Sequence, residues 1–193
     1  MPRLFAGLEL PEEVREQLAD LERPLPGAKW IDMDDLHITL RFAGDLEGLV
    51  AREFEQGLAE IDVDAFELRL EGLGTFGGND PRAIWAGVGA CEPLEALARA
   101  CDRAARNAGL AAMRQPFKAH VTLARLRHTP ADVVARFLGK IGAFRSERFL
   151  VSAFVLFSSK PKVGGGPYVI EAAFPLRGGY CDANDEEHPE RWR

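Results

Sequence analysis

Two tetrapeptides carry the chemistry this chain could do: His37-Ile38-Thr39-Leu40 and His120-Val121-Thr122-Leu123. An imidazole titrates near neutrality, with an unperturbed pKa of about 6.5, so one ring can give a proton while the other takes one in the same pH range. A phosphodiester requires little more for cleavage: a base to activate water, an acid to protonate the departing oxygen, and donors for the charged phosphoryl oxygens. A threonine hydroxyl is such a donor and adds no charge. The scheme needs one neutral and one protonated imidazole, in environments that push their pKa values apart. Two histidines with no carboxylate inside either motif make an incomplete ligand set for a metal, so neither metal nor cofactor is expected.

Side chains alternate across a strand, so His37 and Thr39 share one face and Ile38 and Leu40 the other; the same holds for His120 and Thr122 against Val121 and Leu123. Each motif then buries its aliphatics and presents an imidazole beside a hydroxyl. The surrounding sequence repeats as well. Arg3-Leu4-Phe5-Ala6-Gly7 has a counterpart in Arg82-Ala83-Ile84-Trp85-Ala86-Gly87, and a proline follows each, 26 residues before His37 for Pro11 and 27 before His120 for Pro93. Strand, helix and His-x-Thr segment therefore recur in order, which predicts a duplicated, two-lobed domain over residues 1–177, with repeats of roughly 1–80 and 81–177. If the lobes pack about a pseudo-twofold axis, both histidines and both threonines face one cleft.

The elements that must position them read as follows. Arg3 to Leu10 is strand-like, and Pro11 opens a helix with Val14, Leu18 and Leu21 on one stripe. A strand runs through His37 to Phe42, Gly44-Asp45 turns the chain, and Leu46, Leu49, Val50, Phe54, Leu58 and Ile61 trace a second helix face. Phe66 to Leu73 and Arg82 to Val88 are strands. A helix from Pro93 to about Asn107 leads to the His120 strand. Thr129 is placed to cap a helix whose first residue is Pro130, carrying Val133, Val134, Phe137, Leu138 and Ile141. Phe149 to Phe157 and Tyr168 to Phe174 complete the strands, with a glycine-rich rim at 164 to 166 between them. Residues 178–193 read as an acidic, mobile tail.

The 193 residues, 47% of them hydrophobic, suit one sizeable globular domain. The strand pattern starts at once, leaving no room for a signal peptide, and no run approaches the roughly 18 apolar residues of a membrane span. A cytoplasmic protein with no membrane contact is expected, and a monomer. Cys91, Cys101 and Cys181 lack paired metal-ligand spacing and read as reduced thiols. The net charge of −6 argues against a nucleic-acid partner, but half of it comes from the tail from Asp182 to Arg193, with five acidic and two basic residues. Arg103, Arg106, Arg114, Lys118, Arg125 and Arg127 follow one another with no acidic residue between them, around His120. They are either a solvated basic face or an attraction for phosphate. His128 is a possible aid to phosphate binding, and His188 lies in the tail.

His37-Ile38-Thr39-Leu40-Arg41-Phe42-Ala43-Gly44 and Phe117-Lys118-Ala119-His120-Val121-Thr122-Leu123-Ala124-Arg125 resemble the two signatures of the two-histidine (2H) phosphoesterases, in particular the bacterial and archaeal RNA 2′,3′-cyclic phosphodiesterases, also called 2′-5′ RNA ligases or LigT-like proteins. The resemblance reaches to about Leu176, taking in Pro81-Arg82-Ala83-Ile84-Trp85 and Leu156-Phe157-Ser158-Ser159. It departs at Ala119, where the family often has proline. What it implies is an α+β fold with antiparallel sheets lining a central cleft and helices outside. The implied reaction is hydrolysis of an RNA terminal 2′,3′-cyclic phosphate to a 2′-phosphomonoester without a metal. By the same resemblance His37 is the proton donor and His120 the proton acceptor, with Thr39, Thr122 and Arg125 binding phosphate. Arg41 and Lys118, with the aromatics Phe42, Phe76, Phe117 and Tyr168, are possible contacts to RNA 3′ ends or short oligonucleotides, since single-stranded bases are commonly gripped by aromatics; Trp85 belongs with that group.

Two other readings stay open on sequence alone. The same histidines could join RNA ends in a 2′-5′ linkage without ATP, or the pocket could bind an RNA end or nucleotide with little turnover.

Overall fold

A computed structural model describes residues 3–46, 48–159 and 166–179. Cys181, His188, the acidic tail and the first two glycines of the 164–166 rim lie outside the described residues. The fold is α+β, with four helices and a large antiparallel sheet.

The sheet is ordered β10 (Val169–Pro175), β9 (Ala153–Ser159), β1 (Arg3–Glu9), β3 (His37–Asp45), β7 (His120–Leu126), β6 (Ala83–Val88) and β5 (Leu70–Phe76), with β2 (Ala28–Trp30) also on β7. Every neighbouring pair is antiparallel. β1 and β6, the counterparts seen in the sequence, flank the two histidine strands symmetrically. The sheet does not divide at residue 80. β5, from the first repeat, pairs with β6, while β9 and β10, from the second, attach to β1.

β3 and β7 meet at one residue pair, Ile38 opposite Val121. Beyond it β7 turns to β2, with Trp30 opposite Ala124 and Ala28 opposite Leu126. The strands carrying the two motifs thus meet next to their first residues, His37 and His120, and part beyond that point.

The helices cover the other face. α1 (Glu12–Ala19) starts after Pro11, whose carbonyl accepts from the Val14 and Arg15 amides, and Glu12 and Glu13 in its first turn suit the helix dipole. It buries Val14 and Leu18. α3 (Glu92–Asn107) carries Pro93 in its first turn and buries Leu94, Leu97, Ala98, Cys101, Ala104 and Ala105, a stripe at the 3.6-residue period. α2 (Gly48–Ala59) packs on α3, Gly57 lying so close to Ala104 that a Cβ would stand 3.1 Å from the alanine methyl. α4 is Ala131–Ile141. One core joins these stripes to Ile38, Leu40, Val121 and Leu123, all 3% exposed or less.

Several local expectations are corrected. Gly44-Asp45 does not turn the chain: β3 runs on through both, held by Leu4 opposite Gly44 and by the Arg3 guanidinium 3.3 Å from the Asp45 carboxylate. Leu49 and Val50 lie on the outer side of the first turn of α2, 63% and 37% exposed, and the buried face is Phe54 and Leu58. Leu21 falls beyond the end of α1 but still packs on the core. Thr129 does not cap α4; its hydroxyl donates to the Pro26 carbonyl at 2.8 Å, and Pro130 takes the N-cap position.

The runs 66–73 and 149–157 are each broken in two. Backbone bonds leave the ladder at Arg69, whose carbonyl accepts from Gly89, and at Ser152, whose carbonyl accepts from Leu176. The detached pieces, β4 (Phe66–Leu68) and β8 (Phe149–Val151), pair with each other as a separate ribbon. β2 and the 3₁₀ turn Met33–Asp35 are additions that periodicity does not reveal, being three residues each.

The seam between β3 and β7 should be sensitive to lost volume. Ile38→Ala is expected to cost about 2–5 kcal/mol, as for other large-to-small changes at fully buried sites, and urea unfolding checks it.

Candidate active site

The Ile38–Val121 pair dictates what faces the cleft. Continuing that antiparallel register places His37 across from Thr122, and Thr39 across from His120. The two imidazoles and two hydroxyls therefore stand on one face of the sheet, around the Ile38–Val121 pair.

Each ring is oriented by the carbonyl two residues before it. His37 Nδ1 lies 2.7 Å from the Asp35 carbonyl, and His120 Nδ1 lies 2.6 Å from the Lys118 carbonyl. A carbonyl can only accept, so the proton sits on Nδ1 in both, and Nε2 is the atom that gives or takes a proton in the cleft. His37 Nε2 is 3.1 Å from the Thr39 hydroxyl.

The rings stand in apolar surroundings. Phe5, Phe157 and Tyr168 surround His37 with centroids 4.9, 5.5 and 4.9 Å from it. Phe5 and Phe157 belong to a small cluster separate from the main core, with Tyr168 packed against it. His120 has Phe76 edge-on at 4.8 Å and Trp85 at 6.4 Å. The Trp85 ring lies over Gly74, where a Cβ would come within 2.3 Å of it, so only glycine fits beneath.

Burial lowers the pKa of both histidines. Against it, the Asp35 carbonyl bond and carboxylate raise His37, while His120 and Arg125 lower it further. For His120 the carbonyl bond to Lys118 raises and the Lys118 charge lowers. The pKa values are therefore not pushed in opposite directions, because desolvation is the largest cause at both rings. Burial also raises the Tyr168 hydroxyl, with Arg125 beside it acting the other way.

The remaining candidates divide in two. His37, Thr39, Thr122, Arg125, Tyr168 and Phe42 line one cavity of about 230 Å³. Arg125 makes no ion pair among the described residues. Phe42 is 48% exposed at the mouth. His120, Phe117, Lys118 and Arg41 line an adjoining groove of about 590 Å³ that shares Thr39 and Phe42 with the first.

Arg41 is not free to meet a ligand. It is 6% exposed, ion-paired with Asp102 at 2.9 Å, and donates to the Phe42 and Ala111 carbonyls. The alternation that would have sent it to the cleft is broken where β3 bulges against β1 between Thr39 and Arg41. Phe117 packs on the core, and Phe76 and Trp85 are taken up by His120 and the Lys118 ammonium, which sits 4.1 Å from the Trp85 ring centroid. His128 lines neither cavity and holds a left-handed backbone with φ 54°. Among the described residues no group of three His, Cys, Asp or Glu is placed to hold a metal ion. No helix among them is long and apolar enough to cross a membrane.

Sequence reasoning missed Asp35, whose carbonyl and carboxylate both serve the His37 surroundings, and the Phe5–Phe157 pair. A main-chain carbonyl leaves no trace in residue type. The Phe5–Phe157 contact joins strands some 150 residues apart, so only the pairing of β1 with β9 reveals it.

Three comparisons bear on this site. The family model described as the 2′-5′ RNA ligase superfamily matches residues 10–162. The RNA 2′,3′-cyclic phosphodiesterase of Aeropyrum pernix is 36% identical over 62% of this chain and 69% of its own length. That of Geobacillus stearothermophilus is 32% identical over 90% of this chain, which spans 57% of that relative. Among solved structures, E. coli LigT complexed with 3′-AMP superposes with a TM-score of 0.75 at 24% identity, over 92% of this chain and 99% of LigT, which supports the fold.

Two histidines with lowered pKa set a pH dependence of stability. In the window below about 6.5 the unfolded chain binds protons that the folded one does not, so stability falls as pH drops and is fully kept above it. Denaturant titrations between pH 7 and 5 should show this slope, and it should flatten in a His37→Gln/His120→Gln double variant. An equal slope in both proteins would contradict the lowered values.

Proposed function

The chain belongs to the 2′-5′ RNA ligase superfamily, and on that premise we propose that it hydrolyses the terminal 2′,3′-cyclic phosphate of RNA 3′ ends or short oligonucleotides to a 2′-phosphomonoester. The observation that carries the reading is the register that faces His37 with Thr122 and His120 with Thr39 across one cleft. The relatives named RNA 2′,3′-cyclic phosphodiesterase support it, as does the nucleotide held by LigT in the same fold.

In this proposal His120 Nε2 accepts a proton from water as its oxygen attacks phosphorus. His37, protonated at Nε2, delivers its proton to the 3′ oxygen as the P–O3′ bond breaks. One P–O bond forms, one breaks, and the two imidazoles end with their protonation states exchanged, to be reset by solvent. The Thr39 and Thr122 hydroxyls and the Arg125 guanidinium hold the non-bridging oxygens as charge builds on them, the arrangement in which preorganised donors act most strongly. Phe42, exposed at the mouth of the cavity, offers a stacking surface to the terminal base.

The test is incubation with an RNA oligonucleotide ending in a 2′,3′-cyclic phosphate, in the presence of chelator. Wild type should yield a 2′-phosphate with a bell-shaped pH dependence. His37→Ala and His120→Ala should each lose about 10²–10⁴-fold in rate while keeping the native circular dichroism. The double variant should be little worse than either single one, because the two rings act as a unit. Independent multiplicative losses would rule out a concerted acid and base pair.

A further inference from the structure

The scaffold is pseudo-symmetric, and symmetry alone does not say which histidine is the acid. The residues that break it lie two places before each ring. Asp35 and Lys118 play the same backbone role, each carbonyl taking the Nδ1 proton of its histidine. Their side chains carry opposite charge. We propose that Asp35 and Lys118 decide the direction of proton flow: the carboxylate favours a proton on His37, and the ammonium disfavours one on His120. The inference deepens the cyclic-phosphate reading and, for its acid and base roles, rests on it.

Each side chain is held beside its ring by contacts that do not involve the ring. The Asp35 carboxylate accepts from the Tyr168 amide at 3.0 Å. Gly166 packs so tightly on it that a Cβ there would stand 1.6 Å from Oδ2. Asp35 thus clasps the Gly166–Tyr168 segment and brings the Tyr168 ring edge-on to His37 at 4.9 Å, closing the apolar box on the same ring that the carboxylate charge addresses. The Lys118 ammonium is laid over Trp85 at 4.1 Å and Phe76 at 5.4 Å, the two rings that flank His120. A cation seated on aromatic faces keeps its charge and gives up mobility, so its field at His120 is fixed.

The charges around the two rings bear the assignment out. Around His37 stand Asp35, Arg125 and His120, with Tyr168 and Thr39 as polar neighbours, and among the described residues Asp35 is the anion acting on it. The Lys118 ammonium acts on His120 and lowers it, and the two rings act on each other.

The experiment follows the titration of both imidazoles by NMR in wild type, Asp35→Asn and Lys118→Gln, free of substrate. Asparagine keeps an oxygen for the Tyr168 amide and removes only the charge. Its His37 midpoint should move to lower pH, with His120 moving much less. Lys118→Gln should move the His120 midpoint to higher pH and leave His37 nearly in place. Asp35→Asn shrinks the population with His37 protonated and His120 neutral on the alkaline limb of the pH profile and Lys118→Gln shrinks it on the acid limb, so kcat/KM on the cyclic phosphate should fall roughly two- to tenfold on that limb in each variant, and on both limbs in the double variant. Midpoints that stay put, or that move together in both variants, would overturn the proposal. If wild type leaves the cyclic phosphate untouched, the functional reading falls; the titrations still decide whether the two charges set the protonation of the rings.

Discussion

The Ile38–Val121 contact is the constraint from which the site follows. Strand pleating allows one face per alternate residue, and antiparallel pairing turns position i+1 on one strand into position j−1 on the other. Once the two aliphatics oppose each other in the core, each histidine has to stand across from the other motif's threonine. A slip of one strand by one residue would carry its histidine and threonine into the apolar core and its aliphatics into the cleft. Register is thus protected by burial, since Ile38 and Val121 are both wholly inaccessible to solvent. Catalytic geometry and core packing are here the same requirement, expressed on the two faces of one ladder.

The exchange of strands between the halves reinforces that contact. β9 and β10 lie beside β1, and β5 beside β6, so each histidine strand is backed by strands drawn from both repeats. Neither half could close its sheet without the other. The ribbon of β4 and β8, outside the main sheet, joins the two parts of the chain a second time. An arrangement clasped at both levels resists the hinge motion that would pull an acid away from its base, at a site where misplacement of about 1 Å can cost a hundredfold in rate.

How much of this was legible in the sequence depends on what carries the information. Periodicity and proline placement show α1, α3 and the two histidine strands, because those signals are local. The breaks at Arg69 and Ser152 are invisible, since they arise from where backbone hydrogen bonds go after the chain has folded. Arg41 looks like a cleft residue by alternation, and a bulge turns it inward to Asp102. Thr39 and Thr122 are readable because identity and spacing coincide with the pleat. The carbonyls of Asp35 and Lys118 are not, since any residue supplies a carbonyl; what could have been noticed is that equivalent places in two similar motifs hold opposite charges.

The apolar setting of the rings explains why such charges matter. Phe5, Phe157 and Tyr168 exclude water from His37, and exclusion of water works against the protonated form that an acid must have. In that setting each nearby charge acts with less screening than in solvent, so a single carboxylate weighs more than it would at the surface. A phosphodiester entering the cleft brings a second negative charge to the same ring. In the proposed mechanism its arrival would favour the proton on His37 at the moment the proton is required, while Arg125 and the threonine hydroxyls would take up the phosphoryl oxygens. Burial therefore disfavours the protonated rings in the free site, and in the proposed mechanism an anionic substrate would complete the charge state in which it reacts.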